Sequence, residues 1–201
     1  MSKHEELELR DKFSSITVYC GASHGTKAEY MDIAKTTGEI LAQKGIRLIY
    51  GAGERGLMGQ VSNSVLDNGG EVTGIIPDFM IELEWSNKRV NDIRIVKTMS
   101  ERKQLLLELG DAIMVLPGGI GTMEEFFEAL SWSQLLIHEK PIGLLNVEGY
   151  YDPLLDLIDK LIEDGFVGKR TLDLLIVDTD PEALLEKMLN WNHHDEIKEI
   201  Y

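Results

Sequence analysis

The chain has 201 residues, with 20 basic against 35 acidic side chains and a formal net charge of −15. That length suits one domain with a sizeable core, and that charge argues against non-specific binding to nucleic acid or an anionic membrane. The single Cys20 excludes an internal disulfide and reads as a small buried residue. No apolar run approaches a membrane span and no signal-peptide pattern is present, so a cytoplasmic protein is expected.

Residues 1–14 read as a charged lead-in and 192–201 as a polar tail, both loosely attached to a single domain. Ile16 to Cys20 reads as the first strand, followed by a turn, Gly21-Ala22-Ser23-His24-Gly25. Thr26-x-x-Glu29 is a candidate cap for a helix carrying Tyr30, Ile33, Ala34, Thr37 and Leu41 at helical spacing and ending at Gly45. Ile46 to Tyr50 is a second strand. The turn Gly51-Ala52-Gly53-Glu54-Arg55-Gly56 leads into a helix bearing Leu57, Val61 and Val65, which Asn68-Gly69-Gly70 stops. Val72 to Ile76 is a third strand, closed by Pro77.

Residues 78–92 hold no clear period and read as a flap over a site. Ile93 to Val96 is a short strand. Ser100 is the expected cap of a helix running to Gly110. Ala112 to Leu116 reads as a buried strand, and the helix after it is expected to reach about Ile137. Ile142 to Leu145 is another strand. Asp152-Pro153 opens a helix that ends at Gly165, Leu174 to Val177 is the last strand, and Asp180-Pro181 opens a final helix to about Trp191. Short apolar strands without alternation are buried on both faces, and their alternation with helices predicts an α/β fold with a parallel sheet covered by helices.

Ligands bind such sheets at the carboxyl ends of the strands. Three small-residue turns follow strands, at 21–25, 51–56 and 117–121, and line one crevice if their strands are neighbours. The last is the most informative: Pro117-Gly118-Gly119-Ile120-Gly121-Thr122-Met123-Glu124-Glu125. Glycines admit a ligand close to the backbone, and the free N–H groups of a helix start bind anions. Thr122 adds a hydroxyl. The two carboxylates are more than a phosphate cradle needs and suggest chemistry beside a phosphorylated sugar. Thr122-x-x-Glu125 is also a capping box, and taken alone each glutamate reads first as a helix-start acid.

Gly51-x-Gly53-x-x-Gly56 matches a dinucleotide fingerprint, with Glu71 or Asp78 as its acidic partner, but fits a tight turn equally well. Arg102 and Lys103, read into the first turn of their helix, oppose its dipole. They face either an anion or Glu101 and Glu108. The histidines and the lone cysteine show no metal-ligand spacing, no Gly-Lys-Ser/Thr loop or Gly-x-Ser-x-Gly elbow occurs, and neither a metal nor a cofactor is expected. Trp132 reads as core, and Trp85 or Trp132 as a candidate base platform.

The Pro117–Glu125 run resembles the signature of the Lonely Guy family of phosphoribohydrolases. Val18 to Ser23, Tyr50 to Gly53 with Gly56 to Gly59, Met99 to Lys103, Trp132 to Gly143 and Asn146 to Tyr151 are similar to its other motifs, so the resemblance covers nearly the whole chain. It implies a Rossmann-like fold, a homodimer, and hydrolysis of a nucleoside 5′-monophosphate (a cytokinin riboside monophosphate or AMP) to free base and ribose 5-phosphate. It assigns catalysis to Arg102 and Glu125. It assigns substrate contacts to Glu84, Lys103, Gly118, Gly119, Ile120, Gly121, Thr122, Met123, Glu124 and Ser131, with Ser23, Gly51 and Gly53 as further contacts. Ser100 stands where the family frequently has His, and Ala52, Glu54 and Arg55 alter its second glycine motif. Two other readings stay open: a nucleotide-binding module without catalysis, as in fold relatives that carry a cofactor, and an NAD-dependent oxidoreductase.

Overall fold

Strand β1 (Ser15–Tyr19) is buried along its whole length, because it lies at the centre of a sheet covered on both faces. The computed structural model describes residues 13–82 and 86–192. To one side of β1 lie β2 (Arg47–Tyr50), β3 (Val72–Pro77) and β4 (Asp92–Val96). To the other lie β5 (Ala112–Val115), β6 (Ile142–Leu145) and β7 (Leu175–Asp178). The order is β4-β3-β2-β1-β5-β6-β7, and every pairing is parallel. The α/β expectation therefore holds. The chain winds outward from β1 to β4, returns to β5 and winds outward the other way. Its direction reverses between β1 and β5, which opens a crevice at their carboxyl ends.

Side chains alternate between two cores. Ile16, Val18 and Cys20 face helices α1 (Ala28–Gln43), α2 (Gly56–Asp67) and α7 (Pro181–Asn190), whose Leu41, Val61, Leu184 and Met188 are buried there. Tyr19, Ile49, Ile113 and Val115 face the opposite layer, where α4 (Met99–Leu109), α5 (Ile120–Gln134) and α6 (Asp152–Glu163) contribute Leu106, Phe126 and Ile158. Helices α1 and α2 pack so closely at Gly38 that a Cβ there would lie 2.6 Å from the Val61 carbonyl oxygen and the Ser64 Cβ. That contact explains a glycine in a helix interior, where it costs about 1 kcal/mol against alanine.

Several expected boundaries are corrected. Residue Thr26 does not cap α1, whose N-cap position is Lys27, without a side-chain cap. Helix α4 starts two residues early. Thr98, not Ser100, accepts from the Glu101 amide at 3.1 Å, while the Glu101 carboxylate accepts from the Lys97 amide at 2.8 Å. The arrangement resembles a capping box, with the acid reaching one residue further back than the N-cap amide. Helix α5 ends at Gln134 rather than Ile137, because Leu136 turns left-handed. Within the expected flap, α3 (Asp78–Glu82) forms a short helix and Gly53 bridges Ser86. Asp180 does cap α7, accepting from the Ala183 amide at 2.8 Å. Asp152 caps nothing and is instead the first residue of α6, accepting from Asn146 Nδ2.

Candidate active site

Because β2, β1 and β5 are adjacent, the three small-residue turns come together, but only those at 21–25 and 117–121 line the crevice; the turn at 51–56 packs behind it, with Gly56 against Ala22 and Ser23. A cleft of about 440 Å³ opens at the switch between β1 and β5. Its walls come from the turn after β1, the start of α2, the Pro117–Thr122 loop and Tyr150, and Arg102, Glu124 and Glu125 reach into it.

Helix α5 begins at Ile120, with Gly119 as its N-cap residue and no side-chain cap. Thr122 is its third residue and Glu125 its sixth, so the capping-box reading is overturned and neither glutamate lies in the first turn. The Met123 amide closes the first turn on the Gly119 carbonyl at 3.0 Å. The amides of Ile120, Gly121 and Thr122 precede that bond and have no acceptor within the helix. Thr122 is buried beside Gly118, where a Cβ would lie 2.1 Å from its Oγ1 and 2.9 Å from the Gly21 nitrogen. Only glycine fits, which brings the loop backbone to the cleft floor.

Arg102 is 6% exposed. Its Nε donates to the Ile75 carbonyl at 3.2 Å and its Nη2 to the Gly51 carbonyl at 3.1 Å. Nη1 lies 4.0 Å from the Met99 sulfur, a soft, weak acceptor. Two donor positions are therefore anchored by backbone and a third remains for a ligand. The Gly51 turn thus serves the arginine from behind, which a tight-turn reading of its glycines accommodates. Glu71, weighed as a dinucleotide partner, pairs with Arg47 at the opposite end of the sheet.

Burial pushes the Glu125 carboxyl up to about 7, with the Arg102 charge pulling it down and Glu124 pushing it further up. Lys103 donates to Glu124 at 2.9 Å and to Glu128 at 2.6 Å, and these bonds raise its pKa. It ties α4 to α5 beside the cleft without lining it.

Among the other expected contacts, Ser23, Gly118, Gly119, Gly121, Thr122 and Glu124 line the cleft. Ile120 is 87% exposed, Met123 packs into the second core and Ser131 is exposed about three turns along α5. Gly53 sits against Met58, and Arg55 is exposed. Glu84 and Trp85 lie outside the described residues. Cys20 is buried as expected and Trp132 packs against the second core. His138 Nδ1 accepts from the Lys140 amide at 3.2 Å, so its Nε2 carries the proton and donates to the Ala129 carbonyl at 2.9 Å, a structural role. Lys140 Nζ in turn donates to the Leu107, Glu108 and Gly110 carbonyls, closing the carboxyl end of α4. Tyr30, Leu57, Met58, Met99 and Tyr150 line the cleft without having been singled out as site residues. Their apolar periodicity marked Tyr30 and Leu57 as core, while Tyr150 sits on a loop with no period at all.

The family model described as "Possible lysine decarboxylase" matches residues 58–188. Among curated relatives, cytokinin riboside 5′-monophosphate phosphoribohydrolase LOG of Oryza sativa subsp. japonica is 43% identical over 181 residues. That alignment covers 90% of this chain and 75% of the relative. Cytokinin riboside 5′-monophosphate phosphoribohydrolase LOG4 of Arabidopsis thaliana is 42% identical over 188 residues, 94% of this chain and 87% of the relative. The chain belongs to the Lonely Guy family. Its fold is shared more widely. The molybdenum cofactor binding protein of Rippkaea orientalis superposes with a TM-score of 0.66 at 19% identity, over 86% of this chain and 93% of that one. The Moco carrier protein of Chlamydomonas reinhardtii gives 0.65 at 20%, over 88% and 97%. At such identities the likeness is one of architecture. Ala52, one of the departures from the family's second glycine motif, is left-handed (φ 62°), a conformation in which a non-glycine residue is strained.

Proposed function

We propose that the chain hydrolyses the N-glycosidic bond of a nucleoside 5′-monophosphate, as its Lonely Guy relatives are named for doing with cytokinin riboside 5′-monophosphates. The observation that carries this reading is the convergence of Arg102, Glu125 and the glycine loop on one cleft. The loop amides and the start of α5 seat the phosphate. Water adds to the anomeric carbon while the carbon–nitrogen bond breaks, and the proton released goes to the departing base. Positive charge builds on the ribose, and the Glu125 carboxylate stabilises it or activates the water. Arg102 holds the substrate from the opposite wall. Binding energy from the remote phosphate serves orientation.

The experiment is incubation with AMP and with isopentenyladenosine monophosphate, following free base and ribose 5-phosphate. Release of both products from either substrate is the expected result. Tight binding without turnover would replace the hydrolase with a carrier or sensor module, and an NAD-dependent absorbance change with an oxidoreductase.

A homodimer belongs to the same reading. Helix α5 leaves Ile120 and Phe127 exposed, and Leu135, Leu136 and Ile137 continue the apolar surface beyond its end. A second copy covers such a face, and with it the exposed Ser131. Analytical ultracentrifugation is expected to give twice the chain mass of 22.6 kDa. A charged residue in place of Phe127 is expected to shift the species toward monomer. A cytoplasmic setting completes the proposal. It is supported by the free, buried Cys20 and by the absence, among the described residues, of a helix long and apolar enough to cross a membrane.

A further inference from the structure

We propose that Tyr150 is a positioning residue for the phosphate-binding loop, an inference that rests on the hydrolase reading above. Three consecutive carbonyls in that loop each have a donor. Leu116 accepts from the Tyr151 hydroxyl at 2.6 Å, Pro117 from the Gly21 amide at 3.0 Å, and Gly118 from the Tyr150 hydroxyl. Each peptide unit is planar and trans, so its carbonyl and the following N–H point in opposite directions. A donor on the Gly118 carbonyl therefore also orients the Gly119 N–H, at the N-cap position of α5. A carbonyl oxygen turned toward a phosphate would repel it, and three held carbonyls prevent that rotation.

The connection that delivers the two tyrosines is built at a cost. Glu148 and Gly149 are both left-handed (φ 54° and 68°), a strained conformation for the non-glycine residue. Asn146 offsets it. Its Nδ2 donates to Asp152 Oδ1 at 2.7 Å, its Oδ1 accepts from the Tyr151 amide at 2.7 Å, and its own amide donates to the Asp178 carbonyl at 2.8 Å. Lys27 reaches Glu148 at 3.4 Å.

The two tyrosines differ in what else they do. Tyr151 is a core residue with 1% exposure. Tyr150 is 38% exposed, lines the cleft, and meets the Tyr30 ring edge-on at 5.6 Å. Its hydroxyl is removable without opening a cavity, so its effect on binding is separable from stability.

The test is Tyr150→Phe, which keeps the ring and removes only the hydroxyl. Calorimetric affinity for ribose 5-phosphate is expected to weaken about fivefold, the worth of one neutral hydrogen bond. KM for the nucleoside monophosphate is expected to rise by about the same factor, with kcat within about twofold and the melting temperature within about 3 °C. Binding of the free base is expected to stay the same. Unchanged ribose 5-phosphate affinity in the variant overturns the proposal. So does a fall in melting temperature accompanied by equal losses for base and sugar phosphate, which marks a purely structural residue. Wild-type protein that binds no ribose 5-phosphate at millimolar concentration overturns it as well. Wild-type protein that binds ribose 5-phosphate but releases no base sinks the hydrolase reading instead, and the binding comparison still judges Tyr150.

Discussion

Arg102→Ala is expected to lower kcat/KM for a nucleoside 5′-monophosphate by about 100- to 1,000-fold, the usual loss when a preorganised donor is removed from an active site. The guanidinium is buried, and a buried charge persists only where it is paired or hydrogen-bonded. Here two backbone carbonyls, of Ile75 and Gly51, hold Nε and Nη2, and the hydrogen-bond contact of Nη1 among the described residues is the weak Met99 thioether. A donor fixed this way needs no reorganisation when substrate arrives. Arg102→Lys is expected to fail as well, because one ammonium does not reproduce a planar fork that spans two carbonyls and a ligand. The alanine variant also leaves the two carbonyls without their partner, so a stability loss of about 1–3 kcal/mol is expected in thermal unfolding. Retention of more than a tenth of wild-type kcat/KM alongside that loss would make Arg102 a brace for the Gly51 turn rather than a substrate contact.

The sheet was readable because strands buried on both faces leave unbroken apolar runs, as in Ala112 to Leu116. The crevice followed from topology. Three turns each follow a strand, and adjacency of β2, β1 and β5 brings them together. Helix starts were less readable because capping depends on where the chain leaves its strand. Thr98 and Ser100 both precede the same helix, and only the exit from β4 selects Thr98. At α5 the first helical residue is the exposed Ile120, and a helix read as starting at Thr122 puts both glutamates in a first turn they do not occupy. The anchors of Arg102 lie 27 and 51 residues away, and the carbonyl that Tyr150 holds lies 32 away. Such contacts are tertiary and leave no local periodicity.

Glu125→Gln tests the acid through both stability and rate. Burial raises the folded-state carboxyl from 4.5 to about 7. Between those values the native protein holds a proton that the unfolded chain has released, so its stability falls as pH rises through that window. The cost is absent below about pH 4.5 and complete above about pH 7, where it is on the order of 3 kcal/mol. Glutamine does not ionise. The variant is therefore expected to be more stable than wild type at pH 8 by about that amount, and to converge with it near pH 4.5, in chemical denaturation at the two pH values. Rate is expected to move the other way. If the carboxylate stabilises charge on the ribose or activates water, kcat/KM of the wild type rises with pH to a plateau above about 7. Glu125→Gln loses about 100- to 10,000-fold on that plateau. The substrate phosphate also titrates, near pH 6, and that limb survives in the variant while the limb near 7 disappears. A wild-type rate that falls as pH rises through 7 would assign the work to the protonated acid, as donor to the departing base. A glutamine variant no more stable than wild type at pH 8 would show that Glu125 is not held against a desolvation cost at all. The buried acid costs the fold stability where it is ionised, and the expected gain from that cost is a carboxylate that faces the anomeric carbon with little water to screen it.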